Sequence, residues 1–367
     1  MHNTKSILGL GTAAVVTIIS KITNIVYRGS NYIDSYVDKT KRINYKNKIE
    51  LETDGFYSIT KADDKPFKIL QLTDLHIGGG YLSRHEDMKA LAIAKAAIYK
   101  TKPDLIVLTG DLACPRAHLS LSRNNLNSYR ILTNFLENTG IPYAITFGNH
   151  DTEGKAMFER RGLTDYLISR KNSLFTVTKE TRAITGYSNY YVKLRNKDGE
   201  LNSVIYIIDS NEYISKHGRK SYDYIHEDQV QWYQESVEKI AKENGRNVPS
   251  HMFFHIPIRE YKDAWNSAVN AEEGSKYFYG SRDESISPSK EESKMFETIL
   301  KLQSTKAIYC GHDHLNDFSV EYKGIRFTYG QSIDCILYSK NLLEHKGATL
   351  IKIKKDGTFE IKPKKCR

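Results

Sequence analysis

The chain has 367 residues, of which 40% are hydrophobic and 27% charged, a composition that fits an ordinary globular protein and excludes a disordered one. Its formal net charge of +10 raises binding to nucleic acid or a membrane surface, to be decided by where the charge sits. Four cysteines (Cys114, Cys310, Cys335 and Cys366) without C-x-x-C spacing point to neither a disulfide framework nor a cysteine zinc site.

The first segment is unlike the rest. Ile7 to Ser20 carries no charge, Lys21 interrupts, and Ile22 to Tyr27 follows. The uninterrupted stretch is shorter than the roughly 20 residues of a comfortable span, which suits a signal peptide. With Lys21 snorkelling to an interface, residues 1–27 could serve instead as an uncleaved signal anchor. The other reading is an amphipathic helix packed on the domain. Residues 28–64 read as a basic linker and lead-in, and 65–367 as one catalytic domain. A protein held at a membrane by its N-terminus, or exported, is the expectation. Its orientation stays open, because Arg28, Lys39, Lys41 and Arg42 favour a cytoplasmic domain and the amino-terminal charge favours export.

From Ile49 onward the pattern is mixed α/β. Phe67–Leu72, Asp104–Leu108 and Ala144–Phe147 are short apolar runs that predict strands, separated by helical periodicity at Arg84–Lys100 and Asn127–Asn138. Further strands are predicted at Tyr190–Leu194, Val204–Asp209, Met252–His255, Lys306–Tyr309, Arg326–Tyr329 and Gly347–Ile353. Asn196-Lys197-Asp198-Gly199 predicts a hairpin turn. Helices are predicted at Glu227–Asn244 and Lys290–Leu302, and a long surface loop at Lys262–Ser289.

Polar residues gather where these runs stop. The blocks are Asp74-Leu75-His76, Gly110-Asp111, Gly148-Asn149-His150-Asp151, His255 before Ile256-Pro257, and Gly311-His312-Asp313-His314. Ligands of open α/β sheets bind beyond the carboxyl ends of strands, where these residues belong. Two neighbouring cations repel, so a dinuclear centre needs a bridging carboxylate, with imidazoles and an amide oxygen completing each shell. A mixed nitrogen and oxygen set selects zinc, manganese or iron over calcium or magnesium.

In order, the five blocks resemble the calcineurin-like metallophosphoesterase superfamily, nearest its purple-acid-phosphatase-like, Dcr2-type branch. The resemblance runs from about Pro66 to Ser339. It implies an α/β/β/α fold, a two-sheet β-sandwich flanked by helices. It implies one metal held by Asp74, His76, Asp111 and His314, and a second by Asp111, Asn149, His255 and His312, Asp111 being the bridge. His150 would bind the phosphoryl group and protonate the leaving oxygen, with Asp151 orienting its ring. The implied reaction is in-line attack on a phosphate ester by a hydroxide bridging the metals, with monoesters favoured over nucleotide or lipid-type diesters. A degenerate scaffold used for binding is the non-enzyme alternative. One position departs from the purple acid phosphatases: their tyrosinate ligand, three residues after the bridging Asp, is here Cys114. That removes the expected colour, makes a ferric ion less secure, and leaves Cys114 as filler or a further ligand.

The charge is unevenly spread: +2 over residues 1–27, +4 over 28–48 and +5 over 352–367, leaving −1 for 49–351. A near-neutral catalytic body argues against nucleic acid. The basic flanks predict contact with an anionic membrane surface, and attraction for the phosphorylated substrate falls to the metals.

Overall fold

The structure is a computed structural model and describes residues 17–29, 34–216, 218–337 and 346–365. In chain order its strands begin with β1 (Lys48–Leu51), β2 (Tyr57–Thr60), β3 (Phe67–Leu72), β4 (Leu105–Thr109), β5 (Tyr143–Thr146) and β6 (Tyr190–Arg195). There follow β7 (Leu201–Ile207), β8 (Tyr213–Lys216), β9 (Arg219–Tyr222), β10 (Ser250–Phe253) and β11 (Ser275–Tyr279). The last are β12 (Thr305–Cys310), β13 (Ser319–Tyr322), β14 (Ile325–Tyr329), β15 (Gly347–Ile353) and β16 (Phe359–Lys365).

Nine strands form one sheet in the order β1-β2-β6-β7-β10-β12-β14-β13-β11, five form a second in the order β16-β15-β3-β4-β5, and β8 pairs with β9 alone. Strands β3, β4 and β5 run parallel, as do β7, β10, β12 and β14. Burial on both faces explains why β4 and β5 read as short apolar runs: every residue of both is buried. The sheets meet through one core. Tyr190 Oη of β6 donates to Ile145 O of β5 at 2.8 Å, and Gln71 Nε2 of β3 donates to Cys310 O of β12 at 3.0 Å. Helix Arg84–Thr101 turns Ala90, Leu91, Ala94, Ala97 and Ile98 to the five-stranded sheet, a three-and-four spacing set by 3.6 residues per turn. Helix Glu227–Asn244 covers the other sheet, with Trp232 against Tyr191 and Tyr206. The layered sandwich flanked by helices is the predicted architecture.

Several predicted elements shift. Lys262–Ser289 is not a loop: helix Glu260–Val269 and β11 occupy much of it. The helix buries Tyr261, Ala264, Ser267 and Ala268, a stripe too small and polar to register as hydrophobic periodicity. The last predicted helix begins at Met295, five residues late. Residues 28–64 include β1 and β2, which join the nine-stranded sheet. Residues 17–28 are helical, while residues 7–16 of the predicted signal segment lie outside the described residues. Among the described residues no helix is long and apolar enough to cross a membrane.

Candidate metal centre

The five polar blocks all stand immediately after strand ends, on the edge where β3, β4 and β5 of one sheet and β10 and β12 of the other finish. The backbone there is bent unusually. Asp74, His76, Asp111 and His312 have φ of 52°, 48°, 51° and 80°, the left-handed region that L residues rarely adopt. Such strain costs on the order of 1 kcal/mol or more per residue and concentrates at sites whose geometry is imposed by function. Packing is equally tight. A Cβ on Gly148 would lie 2.2 Å from Asp111 Oδ1, and one on Gly311 2.0 Å from Thr73 Oγ1.

Two sets of donor atoms converge. Asp74, His76, Asp111 and His314 offer one ligand atom each within 4.8 Å of one another, as do Asp111, His255 and His312. Asp111 belongs to both. Its Oδ2 lies 3.0 Å from His255 Nε2, 3.8 Å from His76 Nε2 and 3.9 Å from His150 Nε2, yet is buried without a directed hydrogen bond. His312 Nδ1 is likewise buried without a partner. His76 Nε2 faces His314 Nε2 at 3.3 Å, and Asn149 Oδ1 faces His255 Nε2 at 3.2 Å, beside the second set. Oxygen and nitrogen atoms around a shared ion stand roughly 3–4 Å apart, so the residues fit two cations.

The surroundings fix ring orientation and charge. Nδ1 of His255 meets Thr109 O at 2.7 Å and Nδ1 of His314 meets Asp334 Oδ2 at 3.2 Å, leaving each Nε2 for the centre. Burial pulls His76 down to about 4 and His312 to about 3, so both rings are neutral and keep a lone pair. Burial opposes a charge on His255 as well, but the Asp111 carboxylate lifts it to about 9. A bound cation would take the place of the His255 proton opposite Asp111.

His150 takes a different position. Its side chain is 17% exposed and lies outside both donor sets, and its Nδ1 meets Glu153 Oε2. Arg116 Nη2 reaches both His150 Nδ1 at 3.1 Å and Glu153 Oε2 at 2.7 Å. The expectation that Asp151 orients His150 is corrected. Asp151 accepts from the amides of Leu112, Ala113 and Gly148 at 2.8, 2.9 and 2.8 Å, tying the Asp111 loop to the Asn149 loop. Burial and the Asp111 charge raise it to about 6. Cys114 packs as filler, buried and outside both donor sets, and burial pushes its thiol up to about 12.

Sequence reasoning missed Arg116, Glu153 and Asp334. Asp334 follows a predicted strand, as the other blocks do, and that signal could have found it. Glu153 lies two residues past its block, and nothing local marks Arg116. Residue Arg160 was missed as well: it is buried, donates to Gly148 O at 2.8 Å, and pairs with Asp209 Oδ1 and Glu212 Oε1, each at 2.7 Å.

Comparison with known proteins agrees with this geometry. Residues 67–316 match the family model described as calcineurin-like phosphoesterase. The chain is 29% identical over 341 residues to probable inactive purple acid phosphatase 28 of Arabidopsis thaliana, across 86% of this chain and 81% of that one. It is 30% identical over 283 residues to phosphatase DCR2 of Saccharomyces cerevisiae, across 72% of this chain and 46% of that protein. The crystal structure of a dimetal phosphatase from Danio rerio superposes with a TM-score of 0.52 at 13% identity, over 82% of this chain and 97% of that one, a likeness of fold.

Proposed function

The chain belongs to the calcineurin-like phosphoesterase family, and on that premise we propose that it is a dimetal phosphomonoesterase. The observation that carries the reading is the pair of donor sets sharing Asp111, with His150 beside them and outside both. Asp74, His76, Asp111 and His314 would hold one ion, and Asp111, Asn149, His255 and His312 the other. Manganese, zinc and iron suit such donors. When bound, the ions supply Lewis-acid neutralisation of the phosphoryl oxygens and an acidified water for in-line attack.

The chain's own residues do the rest. Asp334 and Thr109 O fix the rings of His314 and His255, so that no reorganisation is needed as charge develops. Glu153, itself held by Arg116, accepts from His150 Nδ1 and leaves Nε2 facing the cleft on the Asp111 side. From there Nε2 can bind a phosphoryl oxygen and pass a proton to the departing alkoxide. Resemblance to phosphatase DCR2 favours monoesters. The name of the Arabidopsis relative raises a binding scaffold instead, but such a scaffold has no need of seven metal-binding side chains and His150 together.

The test is a screen of the full chain loaded with Mn²⁺, Zn²⁺ or Fe²⁺ against aryl monoesters, aryl diesters, phosphoproteins and cyclic nucleotides. Monoester turnover that chelation abolishes is expected. Turnover of diesters alone overturns the monoesterase reading, and metal binding without turnover of any ester makes the chain a scaffold.

A further inference from the structure

The β8–β9 hairpin stands outside both large sheets, yet one of its faces is turned to the metal centre. Its register pairs Tyr213 with Tyr222 and Ser215 with Lys220, so these four side chains share a face; Ile214, Lys216, Arg219 and Ser221 share the other. Tyr213 Oη accepts from Asn149 Nδ2 at 2.9 Å, and the Tyr222 ring meets that of His312 edge-on at 4.4 Å. Lys220 Nζ lies 3.6 Å from the centre of the Tyr213 ring. The ammonium therefore sits one ring's length from Asn149, exposed to solvent, and among the described residues no carboxylate pairs with it. On the opposite face Lys216 is different, being neutralised by Glu291 at 2.6 Å.

A cation fixed over an aromatic face at the mouth of a phosphate-binding centre is placed to receive a second negative charge. We infer that Lys220 recognises an anionic group on the alcohol portion of the substrate, so that the preferred substrates are phosphate monoesters whose leaving group carries a carboxylate or another phosphate. This rests on the phosphoesterase reading above. Tyr213 acts as a positioning residue, linking the hairpin to the Asn149 amide and directing its Oδ1 towards His255.

The test compares phenyl phosphate with 4-carboxyphenyl phosphate on the Mn²⁺-loaded full chain. It also compares, by calorimetry, the binding of phenylphosphonate with that of its para-carboxylated counterpart, which involves no turnover. The carboxylated member should be preferred in both pairs. Lys220→Ala should reduce each preference about fivefold, the modest effect of an exposed charge, while Lys220→Arg keeps it. Lys216→Ala, on the far face, should leave the preference as it was. An unchanged preference in Lys220→Ala, or equal loss for both members of a pair, overturns the inference. If wild-type protein hydrolyses neither ester, the phosphoesterase reading fails and takes this inference with it.

Discussion

Asp111 Oδ2 and His150 Nε2 stand 3.9 Å apart, yet the proposed centre gives them separable duties. Asp111 is common to both donor sets, so Asp111→Ala removes a ligand from each ion. Metal content measured by mass spectrometry should collapse, and turnover with it. His150 belongs to neither set. His150→Ala should therefore lower kcat by about 10²–10⁴, the usual weight of a general acid, while both ions remain bound. Metal loss in both variants would contradict the non-ligand role of His150. Glu153 acts one step further out. Glu153→Gln keeps a side chain beside Arg116 but withdraws the carboxylate from Nδ1. It should reduce kcat roughly tenfold, with metal content and KM little changed. A fall in metal content instead would assign Glu153 to the support of the ligands.

At the scale of elements, helix Arg160–Ile168 is bound to the site by one side chain. Arg160 is buried among Asp209, Glu212, Gly148 O and Asn211 O, and the Asp209 and Glu212 carboxylates hold the guanidinium charged against the burial that opposes it. Arg160→Met leaves Asp209 buried and uncompensated, which should cost about 3–5 kcal/mol in urea unfolding. Helix Glu227–Asn244 offers a pH-dependent counterpart. His226 at its N-cap meets Asp223 Oδ1 at 2.9 Å, and that hydrogen bond raises the imidazole above its ordinary 6.5. A raised folded value means the pair stabilises fully below about pH 6.5 and loses that contribution as pH climbs through the raised value. The difference in urea midpoint between wild type and Asp223→Asn should thus be larger at pH 5.5 than at pH 8.5. At this partly exposed position the underlying stability difference should be under about 1 kcal/mol. Strands β4 and β5 could be read from sequence because burial on both faces makes them short apolar runs that end in ligand blocks. The β8–β9 hairpin could not. Its strands, Tyr-Ile-Ser-Lys and Arg-Lys-Ser-Tyr, are mostly polar or charged, and are held by the site they cover more than by a core. Arg160 was invisible for another reason: its partners lie 12 to 52 residues away and meet it only once both sheets are assembled.

The whole molecule recasts the charge. The +5 of residues 352–367 falls largely on β15 and β16, and β16 is the outer strand of the five-stranded sheet. Lys362, Lys364 and Lys365 there discourage a second chain from pairing with the exposed edge, so this tail has a structural reason to be basic without a membrane. The centre has a corresponding structural consequence. Asp74, His76, Asp111 and Asn149 follow strands of the five-stranded sheet, whereas His255, His312 and His314 follow strands of the nine-stranded one. Each proposed ion takes ligands from both, so binding fastens the two halves of the sandwich together. An ion at a hundred times its Kd adds about 2.7 kcal/mol to the folded state. For a chain of this size that corresponds to a rise in Tm of roughly 5 °C, at the low end of the usual conversion. Scanning calorimetry of wild type should show that rise on adding Mn²⁺ or Zn²⁺ to chelated protein and its reversal on chelation. His150→Ala should keep the shift and Asp111→Ala should lose it. A shift of equal size in Asp111→Ala would place the stabilising ion elsewhere and separate the metal from the junction of the sheets.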